Sequence, residues 1–137
     1  MIIDASGLVM GRVASIVAKK ALLGEKIDII NCEKAIISGS RKEILTKAKY
    51  NKGRGTPMKG PFTSRMADRF ARRMIRGMLP YKKDKGDQAY KRIMCYIGVP
   101  KEFEGKNAET IEHADAVKRN LVKFITIKDI CDAMGAK

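Results

Sequence analysis

Tryptophan is absent from this 137-residue chain, and all aromatics together make up 6% of it. Aliphatic residues and methionine must therefore do the packing. With 45% hydrophobic residues there is enough of them for one globular domain over residues 1–137. Cysteine is scarce as well. Cys32, Cys95 and Cys131 lie far apart and form no C-x-x-C pair, which argues against a zinc ribbon or finger; the odd count argues against a disulfide scaffold. All three lie close to apolar residues and read as buried free thiols of a reducing compartment. The one histidine, His113, has no nucleophile or metal-ligating group beside it. Asp4 and Asp28 read as strand-end polar residues and not as a catalytic pair. No acid–base or nucleophile constellation is present, so the chain reads as a non-enzyme with no cofactor, no metal and no small-molecule substrate. No apolar run reaches the ~18 residues of a membrane span. The opening MIIDASG has the form of a strand and turn and lacks that of a secretory signal.

What is most unevenly missing is acid. Between residues 41 and 92 there are 17 Lys and Arg against 4 Asp and Glu, a net charge of +13 out of the +14 of the whole chain. Residues 1–40 carry +1, and residues 93–137 are neutral. Charge so concentrated marks one side of the molecule as built for a dense polyanion, and nucleic acid is the first candidate because its phosphates repeat and reward many cations at once.

Periodicity outlines the elements around that segment. Met1–Asp4 reads as a strand, followed by a turn and a helix from Gly11 to Leu23 with Val13, Ala14, Ile16, Val17 and Ala21 on one stripe and Gly24 as its stop. Residues 26–31 and 35–38 read as two more strands. Strand, helix and strand in so short a stretch imply a parallel pair joined by a crossover, hence an α/β domain. Ser40-x-x-Glu43 has the form of a capping box opening a second helix, with Ile44, Leu45 and Ala48 inward. Asn51–Pro61 packs three Gly, two Pro and three basic residues into eleven positions and reads as a long surface loop that orders against its partner. Thr63 or Ser64 is expected to cap a third helix reaching Gly77, its apolar face formed by Met66, Ala67, Phe70, Ala71, Met74 and Met78. Residues 82–86 read as a second basic loop, 92–98 as an interior strand, 110–120 as a short helix and 122–125 as an extended run. A final helix opens at Thr126 and stops at Gly135.

The candidate contact residues follow from this layout. Arg65, Arg69, Arg72 and Arg76 recur at spacings of 4, 3 and 4 and line one stripe of the third helix, with Arg73 beside them. Arginine suits phosphate because its planar fork donates two parallel hydrogen bonds, and a merely solvated face would mix signs where this one has Asp68 alone. Lys47 and Lys49 point outward from the second helix, and Tyr50 at its end is placed to stack on a base. Lys52, Arg54 and Lys59 lie in the glycine-rich loop, and Lys82, Lys83 and Lys85 in the second basic loop. Gly7-x-x-x-Gly11-Arg12 falls between a strand and a helix, where phosphate loops occur. It is neither a P-loop nor a dinucleotide fingerprint, so its glycines read as turn formers, with Arg12 as a possible phosphate contact beside a helix N-terminus.

Asp4-Ala5-x-Gly7-x-x-x-Gly11-Arg12-x-Ala14-Ser15, Ile36-Ile37-Ser38-Gly39 and above all Arg73-Met-Ile-Arg76-Gly77-Met78-Leu79-Pro80 together resemble the large-subunit ribosomal protein thirteen family; Ile93-Met-Cys-Tyr-Ile-Gly98-Val-Pro100 fits a strand of that family. The resemblance runs over almost the whole chain. Asn31-Cys32-Glu33 with Ile37-Ser38-Gly39 resembles the archaeal and eukaryotic branch, and the ending Met134-Gly-Ala-Lys137 is similar to archaeal members. The resemblance implies a three-layer α/β/α domain with a mixed, mainly parallel sheet and a basic loop and helix insertion. It implies a cytoplasmic, ribosome-bound protein that binds large-subunit ribosomal RNA, adjoins other large-subunit proteins and acts early in subunit assembly. Val99-Pro100 lacks the His-rich context of bacterial members, so contacts made there are not carried over. Two rival readings are an off-ribosome RNA-binding regulator and a nucleotide-binding enzyme, the latter disfavoured because one nucleotide needs far less than +13.

Overall fold

The computed structural model describes residues 1–136. In chain order its elements are β1 (Ile2–Asp4), α1 (Met10–Leu22), β2 (Ile27–Ile30), β3 (Ile36–Ser38), α2 (Arg41–Gly53), α3 (Ala67–Arg76), α4 (Asp84–Lys91), β4 (Ile93–Cys95), β5 (Phe124–Thr126) and α5 (Ile127–Ala133). Short 3-10 turns occupy Cys32–Lys34, Lys101–Phe103 and Glu112–Ala114. The strands form a parallel sheet in the order β1-β2-β4 and an antiparallel pair β3-β5, so the α/β expectation with parallel and antiparallel strands holds.

Register explains the core. Ile3 lies opposite Ile29, Ile29 opposite Cys95 and Ile27 opposite Ile93. Because side chains alternate along a strand, Ile3, Ile27, Ile29 and Ile93 share one face, where all four are fully buried. Asp28 and Met94 fall on the opposite face and are half-buried. The buried face joins a single cluster with Met10, Val13, Val17 and Ala21 of α1 and Ala71 and Ile75 of α3. Ala14, Ala18, Ala67, Ala71 and Ala89 are also buried. Side chains this small let α1 come close to both α3 and α4, which are its two main helical neighbours. Burying Ile75 alone contributes about 2–3 kcal/mol.

β2 and β4 are adjacent and parallel, and everything from residue 31 to residue 92 is the connection between them. The basic segment lies within this connection, leaving β3 of the antiparallel pair and returning into β4 of the parallel sheet. On the far edge of the sheet β1 is not bare: Asp4 N–H donates to Glu109 O at 3.2 Å, and Glu109 N–H to Ile2 O at 2.9 Å. Asp4 also holds the turn that follows it. Its Oδ1 accepts from Ser6 N, Ser6 Oγ and Asn31 Nδ2 at 2.9, 2.8 and 3.0 Å. Burial acts to raise the Asp4 pKa, but these hydrogen bonds and Lys34 outweigh it and hold the carboxyl below its usual range.

Several elements differ from their sequence-based expectation. α3 begins at Ala67, after Met66, with no side-chain cap; neither Thr63 nor Ser64 starts it. Residues 61–65 before it have no regular structure and are tethered at two points, with Arg73 Nη1 donating to Phe62 O at 3.1 Å and Arg65 Nη1 to Gly135 O at 3.3 Å. Its buried face is Ala67, Ala71 and Ile75, while the expected Met66 and Met78 are 43% and 44% exposed. The Ser40 hydroxyl makes no capping bond; only its carbonyl serves α2, accepting from Ile44 N–H at 3.0 Å. The expected basic loop at 82–86 is instead largely the first turn of α4. That helix docks through Gly86, where a Cβ would lie 2.1 Å from Pro80 O, so the Pro80–Tyr81 backbone occupies the space of a side chain. The expected helix at 110–120 is a single 3-10 turn followed by tight turns, with Asn120 in the left-handed region at φ 50°. The final helix behaves as expected: Thr126 Oγ1 accepts from Asp129 N–H at 3.1 Å.

Candidate nucleic-acid interface

α2 contributes no buried residue. Ile44, Leu45 and Ala48 turn toward the body and are only half-covered, while Lys42, Lys47, Lys49, Tyr50 and Lys52 are exposed. The helix is fastened at its ends. Arg41 Nη1 meets Asp129 Oδ2 at 3.4 Å, and Lys52 Nζ donates to Met134 O at 2.6 Å. With its neighbour Arg65 on Gly135 O, Lys52 grips the carbonyl end of α5, where a cation meets the negative end of the helix dipole. Every residue from Asn51 to Lys59 is exposed, including Arg54 and Lys59.

α3 has the two-faced form that a binding helix needs. At 100° per residue, Arg69, Arg73 and Arg76 lie within a narrow arc opposite Ala67, Ala71 and Ile75. Arg69 and Arg73 are exposed and Arg76 is half-exposed. Arg65 precedes the helix, so it joins this surface from an extended segment and is not part of the helical stripe. Arg72 sits at the margin of the arc and turns inward. Its guanidinium carbon lies 4.4 Å from the Tyr90 ring centre, Nη2 donates to Tyr90 O at 3.4 Å, and Nε is buried without a partner. Arg92, too, is turned to the body, donating to Ala21 O at the end of α1 at 3.3 Å, and Lys91 is paired with Asp87 at 2.8 Å. Lys82, Lys83 and Lys85 are exposed around the start of α4. The free cations therefore gather on α2, the loop, the outer arc of α3 and the α4 entry.

Aromatic rings accompany this surface in a way that residue-by-residue reading missed in part. Arg54 lies over Tyr50 at 5.3 Å and Arg76 over Tyr81 at 4.9 Å. Tyr50 is 64% exposed and Phe62 75%. Only Tyr50 was identifiable as a candidate from sequence; the four- and five-residue separations of Arg54 and Arg76 from a tyrosine are the signal that pointed to the pairs.

Arg12 is exposed at the start of α1, but the helix terminus next to it is closed. Leu8, Val9 and Met10 are buried, Val9 N–H donates to Ala114 O at 2.8 Å, and Leu8 O accepts from Ile36 N–H at 2.9 Å. A phosphate cradle draws on the free N–H groups of a first helical turn; here Val9 and Arg12 N–H are already bonded, to Ala114 O and Val9 O, and the turn is packed into the core. The adjacent Cys32 thiol and burial raise the pKa of Cys95, and burial pushes Cys131 up to about 11. Among the described residues there is no grouping of three or more His, Cys, Asp or Glu fit to hold a metal ion, and no helix long and apolar enough to cross a membrane.

The model of the family described as Ribosomal protein L13 matches residues 1–102, a span that contains the whole basic insertion. "Large ribosomal subunit protein uL13" of Methanosarcina barkeri is 46% identical, with 99% of this chain and 98% of that protein covered. The proteins of the same name from Methanococcoides burtonii and Methanopyrus kandleri are 40% and 41% identical, covering 99% and 98% of this chain and 98% and 86% of their own lengths. A match over most of the chain by the family model, and identities of this size over nearly the full length, lead to one conclusion: the chain belongs to the ribosomal protein L13 family.

Proposed function

We propose that this chain is a structural constituent of the large ribosomal subunit, cytoplasmic and ribosome-bound, that binds ribosomal RNA through its Lys/Arg-rich insertion and supports early subunit assembly. The observation that carries the reading is the insertion itself, +13 in residues 41–92, with α2 standing on the body without one buried residue. Lys47, Lys49, Lys52, Arg54, Lys59, Arg65, Arg69, Arg73, Arg76, Lys82, Lys83 and Lys85 bridge phosphates of folded RNA. Arg12 adds one contact from the body, and Arg72 braces the surface from behind. Each contact releases condensed counterions, so the work done is charge neutralisation and not catalysis. The expected loop 51–61 begins only at residue 54, since α2 runs to Gly53; residues 54–61 take up their bound form on the RNA, and neighbouring large-subunit proteins complete the surroundings. The name carried by the relatives supports the same reading.

Sedimentation of a native lysate through a sucrose gradient, before and after a moderate salt wash, tests it. The chain is expected to travel with the large subunit and to stay there through the wash. Its appearance as a free small protein in both gradients would overturn the assignment.

A further inference from the structure

Between the end of α2, the glycine-rich loop and α3 lies an open cleft of about 810 Å³. Its lining includes the polar Asn51 and Thr63, the apolar Phe70 and Met74, and Arg54 and Arg73. No carboxylate lines it. Both arginines are held in place from outside the cleft: Arg54 lies over Tyr50, and Arg73 donates to Phe62 O. Arg73, on α3, thereby keeps its remaining donors aimed, so less freedom is lost there when an anion arrives.

We infer that this cleft is a binding site for a single unpaired nucleotide of RNA, its phosphate held by Arg54 and Arg73 and its base laid against Phe70 and Met74 within reach of Asn51 and Thr63. The volume falls in the range of small-ligand sites, roughly 300–1,000 Å³, which suits one nucleotide and is far too small for a duplex. An aromatic wall next to cations, with an amide and a hydroxyl to meet a base edge, is the chemistry by which proteins take bases splayed out of a stack. Absence of acid in the lining favours a phosphate-bearing ligand over a cationic one. The inference rests on the RNA-binding reading and sharpens it: phosphate contacts supply affinity for any RNA, while the cleft distinguishes RNA with an unpaired base from RNA without one.

The test uses the full chain and three RNA hairpins of equal length: one fully paired, one with a single bulged 2-aminopurine and one with a bulged abasic residue. The 2-aminopurine hairpin is expected to bind about tenfold more tightly than the other two, in keeping with what stacking one base on an aromatic side chain is worth, and its fluorescence is expected to fall on binding. Asn51→Trp, which fills the mouth from an exposed helix position, is expected to abolish that preference while leaving affinity for the paired hairpin and its salt dependence unchanged. Phe70→Leu, which keeps apolar volume without the ring, is expected to lose the fluorescence change. Equal, strongly salt-dependent binding of all three hairpins would overturn the cleft and leave the RNA-binding reading standing. A preference shared by the abasic hairpin, or retained by Asn51→Trp, would also overturn it. Salt-independent binding, or none, would remove both readings together.

Discussion

The body and the insertion of this protein use their side chains in opposite ways. Residues 1–40 and 93–137 carry almost no net charge and supply β1, β2, β4 and α1, whose inward faces are completely buried. Residues 41–92 carry +13, and their first helix buries nothing. Between α2 and the body there is even an apolar gap of about 420 Å³, lined by Ile44, Ala48, Phe70 and Met134 among others. α3 joins the two regimes, with Ala71 and Ile75 in the core and Arg69 and Arg73 in solvent. The difference teaches that fold and binding are divided by face and by segment. Apolar area on one side of the sheet holds the domain together, while like charges, which repel one another in the free protein, are kept together because the insertion leaves β3, which is paired with β5, and returns into β4, which is paired with β2.

That division can be broken from either side. The largest effect on stability is expected from Ile75→Ala, which opens a cavity at the seam of α3 with the sheet; chemical denaturation should show a loss of about 2–5 kcal/mol, with the salt dependence of RNA binding preserved in the folded fraction. Replacing Arg69, Arg73 and Arg76 together by Ala should do the reverse. RNA affinity near physiological salt should drop about 100-fold, and the log–log salt slope should become less steep by about 3, one unit per lost phosphate contact, with the thermal midpoint hardly moved. Arg72→Ala sharpens the line between the two groups. Since its guanidinium is stacked on Tyr90, removing it should cost about 1 kcal/mol of stability and leave the slope alone. An Arg72 variant that changed slope and not stability would put that residue back among the phosphate contacts.

The smallest effect concerns the body alone and depends on pH. The folded-state pKa of Asp4 is depressed. Its contribution to stability is therefore present above the unfolded pKa of about 4 and is lost as pH falls through the lower folded value. Asp4→Asn should flatten the acid limb of a thermal-melt series and leave RNA binding at neutral pH as it was.

Much of this division was legible in the sequence, and the exceptions have physical causes. The charge count located the insertion, and the 3.6-residue stripe located α1, because both are sums over many residues and tolerate local error. α4 was not legible: Asp84–Lys91 contains few apolar residues, and it is docked by a backbone contact at Gly86 that no side-chain pattern records. The start of α3 was misplaced because Thr63 and Ser64 are good caps by type, whereas that stretch is non-helical and bracketed by tethers from Arg65 to Gly135 O and from Arg73 to Phe62 O. The inward turn of Arg72 was hidden for a similar reason. Helical spacing put it at the margin of the basic stripe, and Tyr90, eighteen residues away, draws it inward.

The central claim is that binding is a many-contact electrostatic event confined to the insertion and its rim. The most direct measurement is the affinity of the intact chain for large-subunit ribosomal RNA across a series of salt concentrations. With about ten phosphate contacts the log–log slope is predicted to be on the order of −7 to −9. A slope shallower than about −3 would contradict the account, since so few contacts could not employ the charge gathered between residues 41 and 92.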